Sequence, residues 1–176
     1  ITLHTPDWLW LSTAIRSVDH AVEGLCSNST NPLIPPMALN SLQLFGNSLR
    51  NTYKNRDDIV SRSLSQKAVW MIAKNLGNTP MGASHGIGYL LGSIGSVPHG
   101  HTSCVMLPAV LKWNESYNQD KQKWIANALG RPNLSASEAV GELISDLGLP
   151  TTLGEVGIKE SQWEKIAEYG LKHPTV

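Results

Sequence analysis

Three of the six histidines in this 176-residue chain stand in apolar, helix-patterned surroundings. His85 and His99 bound the segment HGIGYLLGSIGSVPH, fourteen residues apart, and His20 lies upstream in AIRSVDHAVEGLCS. A Gly-rich apolar helix followed by the Val97-Pro98 break brings two such groups to one place from either side of a bend. An isolated buried histidine is usually a hydrogen-bonded core group. Three imidazoles on three helices make a first-row metal site when a carboxylate or water completes them. One turn before His20 the residue is Arg16, whose guanidinium has no lone pair to offer and repels a cation. Asp19, adjacent to His20, points about 100° away on a helix and reads as a poor substitute. His4 and His173, near the ends, read as solvated, and His101 reads either way.

These groups must be held by helices. Thr5-Pro6-Asp7 is a helix-start signal, with Pro at the first helical position, and Ser12 reads as a second cap for a main helix over about 12–26. Ala14, Val18, Ala21, Val22 and Leu25 form its apolar face, and Arg16, His20 and Glu23 form another stripe. Residues 27–35 are a loop. Helical patterns at about 36–55 and 57–77 are joined by a short turn and read as an αα-hairpin. The first is Asn-rich and contains Gly46, so packing must hold it. The second opens on Asp57-Asp58 at its dipole and ends at Gly77.

After a loop at 78–83, the segment from His85 is apolar nearly all round, which predicts a fully buried helix. Its four glycines cost about 1 kcal/mol each relative to Ala, a cost accepted where a backbone or a ligand comes close. The next helix begins at His99 and runs to Trp113 with Pro108 inside it, predicting a kink. Shorter helices follow at about 117–129 and from the Ser135/Glu138 cap to Leu147. After a connector at 150–157, a capping box at Ser161 and Glu164 starts the last one. No strand pattern and no internal repeat occur. The prediction is an all-α helical bundle, with residues 1–176 as a single helical domain.

Charged residues make up 16% of the chain and balance to zero, which excludes a basic nucleic-acid stripe and favours association. No apolar run is long enough to span a membrane. With no secretory signal visible, a cytoplasmic location is expected and the sequons at Asn28, Asn114 and Asn133 read as chance matches. Cys26 and Cys104 read as buried free thiols. The chain opens without Met and stops just after a helical pattern, so both ends read as cuts.

The combination IRSVDHAVEGLCS, SHGIGYLLG and VPHGHTSCVMLP resembles the iron-containing alcohol dehydrogenases, and within them the maleylacetate reductases. The resemblance runs from about Trp8 to the last helix and corresponds to the C-terminal helical half of that family, of the dehydroquinate synthase-like type. It implies an N-terminal α/β domain that binds NAD(P), which this sequence does not contain. It also implies that His20, His85 and His99 match the family's metal ligands. Arg16 stands where metal-binding members place an aspartate, and Tyr89 where many members have a further histidine. Resident iron or zinc is therefore not expected.

The chemistry this leaves is anion chemistry. In the place of a metal, Arg16 offers a fixed charge for a developing alkoxide or a bidentate grip on a carboxylate. Tyr89, one turn after His85, or a neighbouring histidine can donate a proton. The expected catalytic residues are Arg16, Tyr89 and His85. The expected substrate-binding residues are Arg16, His20 and His99, with Trp10 as a pocket wall.

The first expectation is half of an NAD(P)-dependent reductase of a small carbonyl substrate, with a partner N-terminal domain. No phosphate-binding glycine turn is present, so this domain alone binds no cofactor. The alternative is a stand-alone domain, paired as a homodimer, catalysing a redox-neutral dehydration, isomerisation or cyclisation in a biosynthetic pathway. A third reading is a non-catalytic assembly domain.

Overall fold

The structure, a computed structural model, describes residues 1–73 and 79–176. Among them there is no strand, and the regular structure is eight α-helices with two short 3-10 turns, as the sequence pattern predicts. The helices are α1 (Asp7–Cys26), α2 (Ile34–Lys54), α3 (Ile59–Ala73), α4 (Ala83–Gly95), α5 (His99–Trp113), α6 (Gln119–Ala128), α7 (Ala136–Asp146) and α8 (Trp163–Gly170).

Helix α1 is the hub. Ile15, Val18, Ala21 and Leu25 are fully buried in a core shared with α2, α3, α5, α6 and α7. The α2–α3 hairpin forms as expected. Leu42, Phe45 and Leu49 anchor its weak helix former, and the Ser48–Ser65 hydroxyl pair at 2.8 Å ties its two arms. The predicted end of α3 at Gly77, and Asn78 in the connector, lie outside the described residues. A smaller apolar cluster packs α4 and α5 against the C-terminal segment through Leu91, Val97, Val105, Ile158 and Ile166. Helix α5 faces both cores, so it sets where α4 stands relative to α1.

Glycine makes that setting close. A Cβ on Gly100 would fall 2.5 Å from the carbonyl carbon of Ser12, so α1 and α5 meet backbone to backbone. A Cβ on Gly88 would fall 3.1 Å from the Thr102 hydroxyl oxygen and 3.5 Å from Nη1 of Arg16. Gly86, Gly88 and Gly95 of α4 serve close approach, while Gly92 has only an ordinary contact at 3.8 Å.

Several local expectations change. Helix α1 runs unbroken from Asp7, with Pro6 one residue outside it and no side-chain cap. Ser12 is buried inside the helix rather than capping it. Helix α4 is not buried all round: one face (Ser84, His85, Gly88, Leu91) is buried, while Tyr89 is half exposed and Ile87, Leu90 and Ile94 are half-buried. Pro108 lies inside α5, which continues to Trp113.

The Ser135–Glu138 box closes in both directions, at 3.2 and 2.9 Å. The box expected at Ser161 does not form. The Lys159 N–H donates to Oε1 of Gln162 at 2.9 Å across a 3-10 turn, and α8 starts at Trp163. Both cysteines are free: Cys104 is buried and Cys26 half-buried, and burial pushes the thiols up to about 12 and about 11. Among the described residues, no helix is long and apolar enough to cross a membrane.

Candidate functional site

Where α1, α4 and α5 meet, the packing turns polar. Arg16, Asp19 and Glu23 recur at i, i+3 and i+7 on α1, a spacing that keeps side chains on one face. All three are buried, Arg16 to 5% exposure and Asp19 to 0%. Burial of this kind requires partners, and α4 and α5 supply them. Nη1 of Arg16 donates to the Ser103 hydroxyl at 3.0 Å and approaches that of Thr102 at 3.5 Å. The Ser103 hydroxyl donates in turn to Oδ2 of Asp19 at 2.5 Å, and the Ser84 hydroxyl donates to the same oxygen at 2.7 Å. Arg16 and Asp19 stand 3.8 Å apart directly.

Glu23 fixes α4. Its carboxylate accepts the N–H of Gly82 at 2.7 Å and of Ser84 at 2.8 Å. This satisfies orphan donors at the positive end of the helix. The same carboxylate lies 2.7 Å from Nδ1 of His85, with Asp19 at 3.5 Å from that nitrogen. A carboxylate accepts only, so His85 carries its proton on Nδ1. Its Nε2 is buried with no protein partner, and so is Nε of Arg16.

His20 lies over His85, with ring centroids 4.4 Å apart. Its Nδ1 rests 3.3 Å from Sδ of Met81. Burial, then the His85, Arg16 and His99 charges, hold its pKa down at about 3, so the ring is neutral at physiological pH. Tyr89 is 50% exposed and forms the rim. The Arg16 guanidinium sits 5.7 Å from its ring centre, and His85 and His99 lie on either side at 6.5 and 6.4 Å.

His99 is exposed at the start of α5, after Ser96 ends α4 in the left-handed region at φ 55°. Burial, Arg16 and His85 lower its pKa. Asp19 is pushed up to about 6 by burial and by the Glu23 charge, opposed by His85 and the two hydroxyls.

The structure thus brings Arg16, His20, His85 and Tyr89 together, with the His99 ring 6.4 Å from that of Tyr89 and near enough to Arg16, His20 and His85 for charges to be felt between them. Trp10 is elsewhere. Six residues before Arg16, it projects from another side of α1. It lies under the Arg62 guanidinium at 4.7 Å and lines a groove of about 480 Å³ between α1 and α3. His101 packs edge-on against Trp8 at 6.0 Å. His173, expected in solvent, is half-buried 6.2 Å from Tyr89.

Asp19 was set aside because it diverges from His20; measured from Arg16, it is on the same face. Asp19, Glu23, Ser84 and Ser103 are the residues that sequence reasoning missed as partners. The i, i+3, i+7 run of charges on a helix with an apolar face was the available signal.

Residues 11–175 match the C-terminal part of the Fe-containing alcohol dehydrogenase family. The chain belongs to that family. Two similar relatives are the dehydrogenase ALT3 of Alternaria alternata, 35% identical over 98% of this chain, and the maleylacetate reductase of Pseudomonas knackmussii, 29% identical over 98%. This chain covers 53% and 48% of their lengths, so it spans about half of the curated relatives it matches. A solved structure described as a putative alcohol dehydrogenase from Ralstonia eutropha superposes with a TM-score of 0.94 at 25% identity, over 98% of this chain and 49% of its own. These relatives of the iron-type alcohol dehydrogenase family are oxidoreductases, and the helical bundle is the part this chain shares with them.

Proposed function

We propose that this chain forms the substrate-binding wall of an NAD(P)-dependent reductase acting on a small carbonyl compound that carries a carboxylate. The observation that supports it is the pair of buried, unpartnered polar atoms, Nε of Arg16 and Nε2 of His85, in one cluster beside His20 and Tyr89. Orphaned buried polar atoms are rare and call for a partner. A guanidinium and an imidazole offer that partner charge and hydrogen bonds. In this reading Arg16 binds the anionic group, and His85, held through Nδ1 by Glu23, gives the carbonyl oxygen a proton from Nε2 when the ring carries both, and takes a replacement from solvent. Tyr89 walls the entrance and His20, neutral, shields the pair. The nicotinamide, which supplies hydride when bound, belongs to the half of the relatives that this chain does not span.

Iron or zinc does not fit this donor set. A guanidinium stands among the three histidines where a cation would need a carboxylate. Oxygens and nitrogen of Asp19, Glu23 and His85 do lie within 4.8 Å of one another. Oδ2 of Asp19, both Glu23 oxygens and Nδ1 of His85 are already engaged with two hydroxyls, two backbone N–H groups and each other.

The test is reduction, by the protein containing this chain, of a panel of oxo acids and the matching uncharged ketones and aldehydes. NAD(P)H absorbance reports the rate. A preference for oxo acids that disappears in Arg16→Met, with the fold intact by circular dichroism, is the expected result. Undiminished turnover of oxo acids in that variant would sink the proposal.

A further inference from the structure

Asp19 is a fully buried carboxylate with no place in the substrate contacts just proposed, and its surroundings give it a specific task. Among the described residues, four charged or titratable groups face it: Arg16 at 3.8 Å, His85 at 3.5 Å, Glu23, whose charge raises its pKa, and the Cys104 thiol, whose own pKa the Asp19 charge helps to raise. The Ser103 hydroxyl is a relay between it and Arg16, accepting from the guanidinium at 3.0 Å and donating to the carboxylate at 2.5 Å. Ser84, from α4, closes the other side. Its Oδ1 is buried and has no partner. A buried guanidinium without a counter-charge would be expelled to solvent or would destabilise the fold. Glu23 is not available for it, being occupied by the start of α4 and by His85.

We infer that Asp19 is the internal counter-ion of Arg16, a positioning residue that holds the guanidinium in the site until a substrate anion arrives. This rests on the anion-binding reading of Arg16. The contact is relayed and offset rather than bidentate, so Arg16 keeps Nε unpartnered for an incoming oxyanion. Asp19 and the substrate carboxylate then share one cation. Removing Asp19's charge leaves the cation to the anion alone, which strengthens anion binding.

The test uses Asp19→Asn, Arg16→Met and the double variant at about pH 7.5, with succinate as probe and sodium sulfate at matched ionic strength as control. The Tm change that Asp19→Asn causes in wild type is expected to differ by roughly 5 °C from the change it causes in the Arg16→Met background. Succinate is expected to bind Asp19→Asn about tenfold more tightly than wild type, with a larger rise in Tm.

Additive losses in the double variant overturn the inference whatever succinate does. An Arg16-dependent succinate response that is no larger in Asp19→Asn than in wild type also overturns it, while the carboxylate reading of Arg16 stands. No succinate response in either protein overturns both. If Asp19→Asn does not fold, Ser103→Ala takes its place. That change keeps both charges and breaks the relay, and is expected to weaken succinate binding; unchanged binding counts against the inference.

Discussion

Ile15 and Arg16 are neighbours on α1, both buried, and they belong to different kinds of interior. Ile15 enters an apolar core built from six helices, where contacts are numerous, non-directional and individually weak. Arg16 enters a seam of ionic and hydroxyl groups between α1, α4 and α5, where every contact has a direction and a partner. The first region holds the helices together. The second fixes how α4 faces α1 and leaves three polar atoms, Nε of Arg16, Oδ1 of Asp19 and Nε2 of His85, without protein partners. The difference is one of replaceability: the core depends on volume, and the seam depends on charge.

That contrast is testable, and the largest effect belongs to the core. Ile15→Ala is expected to cost about 2–5 kcal/mol. Because no titrating group is involved, denaturant unfolding should give the same loss at about pH 5 and pH 7.5. A pH-dependent loss would mean the two regions are coupled.

Glu23→Gln should cost about 2–3 kcal/mol, through loss of the charge that caps α4 and pairs with His85. It should also slow any turnover while Ile15→Ala leaves the rate per folded molecule unchanged. Equal effects on rate would erase the distinction.

His20 sharpens the comparison through pH. Its folded pKa of about 3 lies below the ordinary 6.5, so the unfolded chain takes up a proton that the folded chain refuses. Stability from this group is therefore full above about pH 6.5 and falls as pH drops toward 3. Asp19 works the other way: its raised value means that folding is relieved as pH falls through about 6. Replacing His20 with Gln should recover about 1–2 kcal/mol of the loss between about pH 7 and 5. A slope unchanged in His20→Gln would place the titration elsewhere.

The smallest effect lies outside both regions. Ser135→Ala should cost about 1 kcal/mol by opening the exposed cap of α7, with no pH or anion dependence in calorimetry.

The core region was legible in the sequence because helical periodicity and turn residues report it directly. The buried stripe of α1, the α2–α3 hairpin and the Ser135–Glu138 cap all follow from local pattern. The seam was legible only in part. Arg16, His20 and His85 stood out by type, but their partners are set by packing between helices distant in sequence. Asp19 pairs through Ser84 and Ser103, more than sixty residues away. Trp10 shows the opposite case: its aromatic character suggests a wall of the site, and the rotation of the helix sends it to a different groove. The Ser161 box does not form, and the Lys159–Gln162 contact two residues earlier takes its place before α8.

The close approach at Gly100 has a consequence for how such a site tolerates substitution. Ser12, through its carbonyl and its hydroxyl oxygen, and Gly100 set the spacing of α1 and α5 at this crossing, with no charged group taking part. The scaffold's dimensions are therefore independent of the electrostatics it encloses. Exchanging charges at positions 16 and 19 is therefore expected to leave that spacing unchanged, whereas a side chain at position 100 is expected to widen it.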